Sequence, residues 1–177
     1  MLSLFRFTCS VALQLMSALH MLNTAGLKTF LQLIVHRRDV INKLYSLGQR
    51  ILSKQPFSVL LGTELDVFEP GTAILTLRVK DEIKQQHGFV HGGVVSYLAD
   101  NALTFAGGSI LGDAVTSEYK INYLRPALGE TLIARAHVVS SGANQAVCQC
   151  TVNTCSDDKE QIVAVAQGTI LKARPKA

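Results

Sequence analysis

The spacing of apolar residues along the chain changes from helical to strand-like, and each change predicts an element. Between residues 39 and 56, apolar side chains recur every three or four positions, which predicts a helix with Asp39 as its N-cap and Pro56 beyond its end. Two strand-like runs, Gly62 to Phe68 and Thr72 to Lys80, flank Glu69-Pro70-Gly71 and predict a hairpin. The second run alternates with one apolar face, formed by Ala73, Leu75, Leu77 and Val79.

A longer helical pattern occupies the middle of the chain, from Val94 to Ile110. Its apolar stripe consists of Val95, Leu98, Ala99, Ala102 and Ala106. Four strand-like runs follow, separated by turn-forming residues: Ala114 to Leu124, Glu130 to Ser140, Gln145 to Thr154 and Gln161 to Lys172. This order predicts an α+β domain in which an antiparallel sheet bends around one long helix and buries it.

Composition limits the function classes. The chain has 177 residues, 48% of them hydrophobic and only 17% charged, which predicts one large domain and excludes a disordered polyelectrolyte. So few charges also predict that further surface is buried between subunits of an oligomer. The net charge of +4 favours an anionic ligand, but Lys and Arg form no dense stripe, so we expect a phosphate-bearing small molecule rather than a nucleic acid.

The four cysteines, Cys9, Cys148, Cys150 and Cys155, form neither a CxxC pair nor a metal ligand set with nearby histidines. We predict reduced thiols, with Cys148 and Cys150 packed on one face of a strand. Reduced thiols indicate a cytoplasmic location.

Residues 1–38 contain no Asp or Glu and are predicted to be an extension of the main domain, which we place at residues 39–177. The composition is compatible with a targeting segment, an amphipathic segment on a membrane surface, or a disordered one. Gln14, His20, Asn23 and Lys28 interrupt the apolar stretch, which disfavours a spanning helix. Organelle targeting or membrane association is therefore the alternative to a cytoplasmic location.

Asp100 is the only charged residue between Gln85 and Gly112. On the predicted helix it shares a side with small and hydroxylated residues: Gly93, Ser96, Tyr97 and Thr104. A solvent-facing helix would carry several charges there. A lone carboxylate is exposed at an edge, paired across the structure, or functional, and this setting favours a functional group.

Gly92 and Gly93 precede the helical pattern. Free amides in the first turn of a helix point outward with the positive end of the helix dipole, so this position suits an oxyanion site. His91 is a candidate base, but the better interpretation is a histidine that holds the glycine turn by hydrogen bonding.

Together these residues resemble a known family. The string His87-Gly88-Phe89-Val90-His91-Gly92-Gly93, then Tyr97-Leu98-Ala99-Asp100-Asn101-Ala102, looks like the signature of phenylacetate-type hot-dog thioesterases. The segment from Glu118 to Ala127 and the Gly129-Glu130 turn extend the resemblance over roughly residues 55–173. It implies a five- or six-stranded antiparallel sheet around the long helix, dimers or tetramers that join sheets edge to edge, and active sites between protomers.

The resemblance also implies roles in acyl-CoA hydrolysis. Asp100 would be the nucleophile or the general base, the Gly92 amide would polarise the thioester carbonyl, and Thr116 would orient water. No metal or other cofactor is needed for this chemistry. The family often has an assisting Asn where this chain has Gln85, a departure for which Gln86 or His87 are alternative replacements.

Candidate substrate contacts are Gly93 and Tyr97, with Lys120, Arg125 and Lys172 for CoA phosphates. The apolar surroundings suggest a medium- to long-chain acyl or an aryl-acyl group, and hence a role in fatty acid metabolism. Two alternatives stay open: acyl-CoA binding without turnover, and the hydratase or dehydratase chemistry that the fold also hosts.

Overall fold

The computed structural model describes residues 24–173. The interpretations of residues 1–23 as targeting, amphipathic or disordered chain, and of Cys9 as a reduced thiol, lie outside these residues. The chain divides into two compact units, Met1–Val40 and Ile41–Ala177. In residues 24–173 we find no helix with the length and apolar character that a membrane span requires.

Three helices and six strands follow one another along the described chain. The helices are α1 (Thr24–Leu52), α2 (Pro56–Leu61) and α3 (Gly92–Leu111), with a short 3-10 turn at Asp81–Ile83. The strands are β1 (Thr63–Glu69), β2 (Thr72–Arg78), β3 (Ala114–Tyr123), β4 (Thr131–Ser141), β5 (Gln145–Ser156) and β6 (Lys159–Lys172).

All six strands form one antiparallel sheet in the order β1-β2-β4-β5-β6-β3. Helix α3 packs against this sheet and is buried along most of its length. Every residue of the predicted stripe on α3 is in the core, and so are Ala73, Leu75 and Leu77 of β2. The predicted α+β fold, with an antiparallel sheet around one long helix, is therefore confirmed.

The start of the first helix was predicted wrongly. Asp39 lies inside α1, which begins at Thr24, because residues 25–38 contain no proline and continue in helical geometry up to Asp39. Pro56 does not merely end the helical region. It occupies the first turn of α2, where the missing N–H of proline costs no hydrogen bond.

The turn between β5 and β6 is shorter than the sequence indicates. Asp157 and Asp158 both adopt positive φ values, 48° and 59°, so two residues suffice to reverse the chain. Aspartate tolerates this conformation better than most residues. The strands consequently extend to Ser156 and from Lys159, beyond their predicted ends.

The carboxyl-terminal part of α1 lies against β1. The Tyr45 hydroxyl donates to the carbonyl of Leu65 at 2.8 Å. Gly48 is buried, and a Cβ there would lie 2.5 Å from Cδ1 of Phe68. This glycine therefore permits the close approach that fixes the end of α1 on the domain.

Cys148, Cys150 and Cys155 are free thiols. Cys148 and Cys150 are both buried in the core, on the same face of β5, as predicted. Burial raises the pKa of Cys148 to about 11 and the pKa of Cys150 to about 12, which keeps both thiols protonated at neutral pH. Their role in the fold is that of small apolar side chains.

Gly107 sets the distance between α3 and the sheet. A Cβ at this position would lie 2.8 Å from Cβ of Ile170 on β6. We expect Gly107→Ala to destabilise the protein by about 1–3 kcal/mol, because overpacking forces either the helix or the strand to move. Urea denaturation measures this.

Gly108→Ala is the matched control, since its Cβ would only reach ordinary contact with Ala114 at 3.7 Å. Alanine is the better helix former, so this variant should gain about 0.5–1 kcal/mol. Equal effects of the two variants would contradict the packing argument.

Candidate active site

Asp100 lies on the side of α3 that faces β3. Thr116 donates its hydroxyl hydrogen to Oδ1 of Asp100 at 2.7 Å. The hydroxyl of Thr104 lies 2.6 Å from that of Thr116 and donates to the backbone carbonyl of Asp100 at 2.9 Å. Asp100 forms no ion pair within residues 24–173. The carboxylate is thus half-buried, held by a hydroxyl and not neutralised by a cation.

An irregularity in β3 positions two side chains toward α3. The pairing register between β3 and β6 shifts between Thr116 and Glu118. Because of this bulge, Thr116 and Tyr119 both face the helix although they are three residues apart. The Tyr119 hydroxyl lies 2.6 Å from that of Ser96, while Thr116 reaches Asp100.

The first turn of α3 leaves one amide unused. His91 is the N-cap, and its Nδ1 accepts a hydrogen bond from the Gly93 amide at 2.9 Å. The amide of Val94 donates to the carbonyl of His91 at 2.9 Å. The Gly92 amide has no hydrogen-bond partner among residues 24–173. This N–H at the positive end of the helix is available to an anion or a polarised carbonyl.

A cavity of about 360 Å³ opens beside Gly92. The Tyr123 hydroxyl donates to the carbonyl of Gly92 at 3.0 Å and so closes one side of it. The remaining walls are mostly apolar, and the full lining is Gln85, Phe89, Val90, Gly92, Val95, Tyr123, Leu124, Arg125, Pro126, Ala127 and Val163.

Gln85, Gln86 and His87 are the candidates for the position at which the family often has an assisting Asn. Of these three, only Gln85 lines this cavity. Its backbone is fixed by two hydrogen bonds of the loop, from the Gln85 amide to Phe89 and from the Gly88 amide to the Gln85 carbonyl, each 2.9 Å long. Gln86 and His87 are exposed, lie 3.4 Å apart, and do not line the cavity. The geometry therefore groups Gln85 with Gly92.

The candidate phosphate contacts separate in the structure. Arg125 lines the Gly92 cavity and donates through Nη1 to the carbonyl of Ile162 at 3.0 Å. Lys120 follows Tyr119 on β3 and so faces the other side of the sheet, where it lines a different cavity with His137. Lys172 ends β6 and lines neither cavity.

Tyr97, a candidate substrate contact, belongs to a polar cluster on another side of α3. Its hydroxyl donates to that of Ser58 at 2.6 Å and lies 2.9 Å from that of Thr63. Asn101, on the next turn of α3, donates to the hydroxyls of Ser58 and Tyr97. The structure does not bring Tyr97 together with Asp100 or with the Gly92 cavity.

Gly92 and Asp100 lie on the same helix, α3, but far from each other. Eight residues separate them, which corresponds to about 12 Å along the axis of α3. One thioester carbon cannot lie within reach of both groups of the same chain. A site that uses both must combine the Gly92 of one chain with the Asp100 of another.

Several contacts at the site escaped sequence reasoning. Thr104, one helical turn after Asp100, was recognised as polar but not as a neighbour of Thr116. Its spacing of four residues from Asp100 was a signal for its bond to the Asp100 carbonyl, but not for the contact with Thr116 on β3. Tyr123 and the Ser96–Tyr119 pair carried no signal, because only the register of β3 brings them to α3.

Comparison with known proteins gives consistent matches over the domain. The sequence model of the thioesterase superfamily matches residues 87–160. A thioesterase family protein of Silicibacter pomeroyi is 32% identical, with a TM-score of 0.68, and the match covers 70% of this chain and 93% of that structure. A putative esterase of Archaeoglobus fulgidus is 30% identical over 64% of this chain and 72% of its own length.

The acyl-coenzyme A thioesterase PaaI of Escherichia coli is 35% identical over 88 residues, which are 49% of this chain and 63% of that protein. The structure of the E. coli PaaI protein has a TM-score of 0.69 at 25% identity and covers 76% of this chain and 96% of its own. The six-stranded sheet around α3 and these matches together show that this chain belongs to the thioesterase superfamily, in its hot-dog fold, and is a thioester hydrolase.

Proposed function

We propose that this protein hydrolyses acyl-CoA thioesters to the free acid and CoA, with medium- to long-chain acyl or aryl-acyl groups as substrates. The observation that carries this proposal is the unpaired amide of Gly92, which opens into a largely apolar cavity at the positive end of α3. The E. coli relative is named for acyl-coenzyme A thioesterase activity, as is a human relative that is 35% identical over 79 residues.

The chemistry divides between two groups. The Gly92 amide donates a hydrogen bond to the thioester oxygen, whose negative charge grows as the tetrahedral intermediate forms. Asp100 either takes a proton from the attacking water or attacks the carbonyl carbon itself, giving an anhydride that water then cleaves. In both routes the C–S bond breaks, the thiolate of CoA leaves and is protonated, and the acid remains.

The separation of Gly92 from Asp100 leads us to propose that the working unit is a homodimer or a homotetramer. Strand β3 pairs with β6 along one edge and lies at the end of the sheet order. Its other edge pairs with no strand among residues 24–173 and can therefore pair with a second copy. Pairing there would bring the hydroxyl-bound Asp100 of one chain toward the α3 start of its partner.

The other candidate residues have supporting parts in this proposal. His91 holds the first turn of α3 through its bond to the Gly93 amide and so aims the Gly92 amide. Gln85 supplies a second donor, the amide group of its side chain, beside the backbone amide of Gly92, and Thr116 orients the carboxylate of Asp100. Arg125 has guanidinium N–H groups left to contact a CoA phosphate at the cavity, a task for which Lys120 is poorly placed.

Asp100→Asn should lower kcat for a long-chain acyl-CoA by about 10²- to 10⁴-fold, because the amide can neither attack nor accept a proton from water. Release of the CoA thiol, followed with a thiol reagent, measures this. Asp158→Asn is the matched control, since asparagine tolerates the positive φ of the β5–β6 turn. Undiminished thiol release by Asp100→Asn, or none by the wild type, would end the proposal.

Gly92→Pro should lower kcat by about 10²- to 10³-fold by deleting the oxyanion donor. Proline suits the first position of a helix, and the φ and ψ of His91, −59° and 133°, suit a residue that precedes proline. The three atoms nearest to a Cβ at this position all belong to Tyr123, at the ordinary contact distance of 3.7 Å. An unchanged circular dichroism spectrum should therefore accompany the loss of turnover.

Co-expression of this variant with Asp100→Asn under different tags tests the site between chains. A heterodimer should have one intact site of two and recover about half of the wild-type activity per dimer. If the site lay within one chain, the heterodimer would stay as inactive as either homodimer.

Thr116→Val should lower kcat by about tenfold or more, because a hydrogen bond to a carboxylate is lost while the side-chain volume is kept. Thr116→Ser retains the hydroxyl and should recover most of the rate. Equal rates for the valine and serine variants would show that this hydroxyl does not act on Asp100.

A further inference from the structure

Beyond Asp100, the same face of α3 has very small side chains. Thr104, Gly108 and Gly112 follow at intervals of four residues, so they lie near one another on successive turns, with Gly112 directly after the helix end. Thr104 adjoins Asp100 through its bond to the Asp100 carbonyl. The two glycines leave space next to this face, and Thr104, Gly108 and Gly112 all line it.

The other wall of this space is the end of α1. Leu44, Leu47 and Ile51 recur at three- and four-residue spacing and share one side of that helix. Leu47 is 43% exposed and Ile51 42% exposed, although α1 is held firmly nearby through Tyr45 and Gly48. Leu44 packs against the core, whereas Leu47 and Ile51 leave much of their apolar surface uncovered beside it.

Between the two walls lies a cavity of about 510 Å³, within the size range of small-molecule sites. Its polar side chains are mostly occupied. Ser109 accepts from the Gly71 amide and donates to the Ala106 carbonyl, both at 2.7 Å, and Oε1 of Gln55 accepts from Ser58 at 2.6 Å. Asp113 is exposed. These walls suit an apolar ligand better than a polar one.

We propose that this cavity, bounded by α1 and the second half of α3, takes the acyl chain of the substrate, and that Gly108 sets the chain length. The inference rests on the proposed acyl-CoA hydrolysis, because the thioester carbonyl of the substrate must lie at the Asp100 carboxylate and the acyl chain starts from there. From the carboxylate, the acyl chain of the substrate then extends past Thr104 into the space that Gly108 leaves open. The protomer that supplies Asp100 also supplies the cavity.

The test fills the cavity with a larger side chain at position 108 of α3. A Cβ at position 108 would first meet Ala114, at 3.7 Å, so Gly108→Leu is compatible with the helix and extends into the cavity. We expect kcat/KM for dodecanoyl-CoA to fall at least about tenfold, while that for butyryl-CoA stays within about twofold. Gly142→Leu is the matched control, since nothing lies within 4 Å of its Cβ, and it should leave the whole chain-length profile unchanged.

A second variant approaches from the opposite wall. Leu47→Phe is the test to use if Gly108→Leu does not fold. It adds bulk to a side chain that is already partly exposed, and it should shift the chain-length profile in the same direction. A uniform fall for all chain lengths, or an unchanged profile in a folded variant, would overturn the assignment of the cavity.

Binding separates this inference from the catalytic one. The probe is dodecyl-CoA with a thioether in place of the thioester, titrated by calorimetry. Weaker binding by Gly108→Leu supports the cavity even if the wild type releases no CoA, a result that would overturn only the proposed hydrolysis. Equal binding by wild type and variant would overturn the cavity while leaving hydrolysis intact.

Discussion

The close packing of α3 against the sheet constrains almost everything else in this domain. Small residues on the buried side of the helix, with Gly107 directly against Ile170, bring its backbone near the strands. A helix enclosed in this way cannot carry many charges, because each would need a buried partner. Asp100 is the exception, and its carboxylate oxygen Oδ1 accepts a hydrogen bond from the Thr116 hydroxyl on the neighbouring strand β3. The isolation of this carboxylate in the sequence is therefore a consequence of the packing.

The same rigid helix keeps the two chemical groups at fixed positions. Its start presents the Gly92 amide and its middle presents Asp100, about 12 Å further along the axis. No side-chain movement closes such a distance, so the proposed chemistry requires an oligomer. The low fraction of charged residues agrees with that requirement, and so does the edge of β3 that no other strand of the described chain covers. In this view, association completes the active site and also covers a strand edge that would otherwise favour aggregation.

Sequence patterns predicted the parts of the fold that depend on periodicity. The hairpin, the long helix and the four following strands came from apolar spacing and from turn residues, and the structure confirms them. The start of α1 was missed because Asp39 looks like a cap but lies within a continuous helix. The bulge of β3 was not predictable, since one extra residue shifts register without changing composition. The same limit applies to the predicted site: Asp100 and Gly92 stand out in the sequence by charge and glycine content, whereas Tyr123 reaches Gly92 only through the register of β3.

Three glycines of α3 show how one residue type serves different ends, and only the surroundings distinguish them. At Gly107 a Cβ would collide with a strand, so glycine there serves packing. At Gly92 and Gly108 a Cβ would make ordinary contacts, at 3.7 Å in both cases, so neither glycine is required by the fold. A glycine that packing does not demand costs helix stability, which needs another explanation. For Gly92 the explanation that we propose is an accessible amide beside a cavity, and for Gly108 it is the space for the proposed acyl chain.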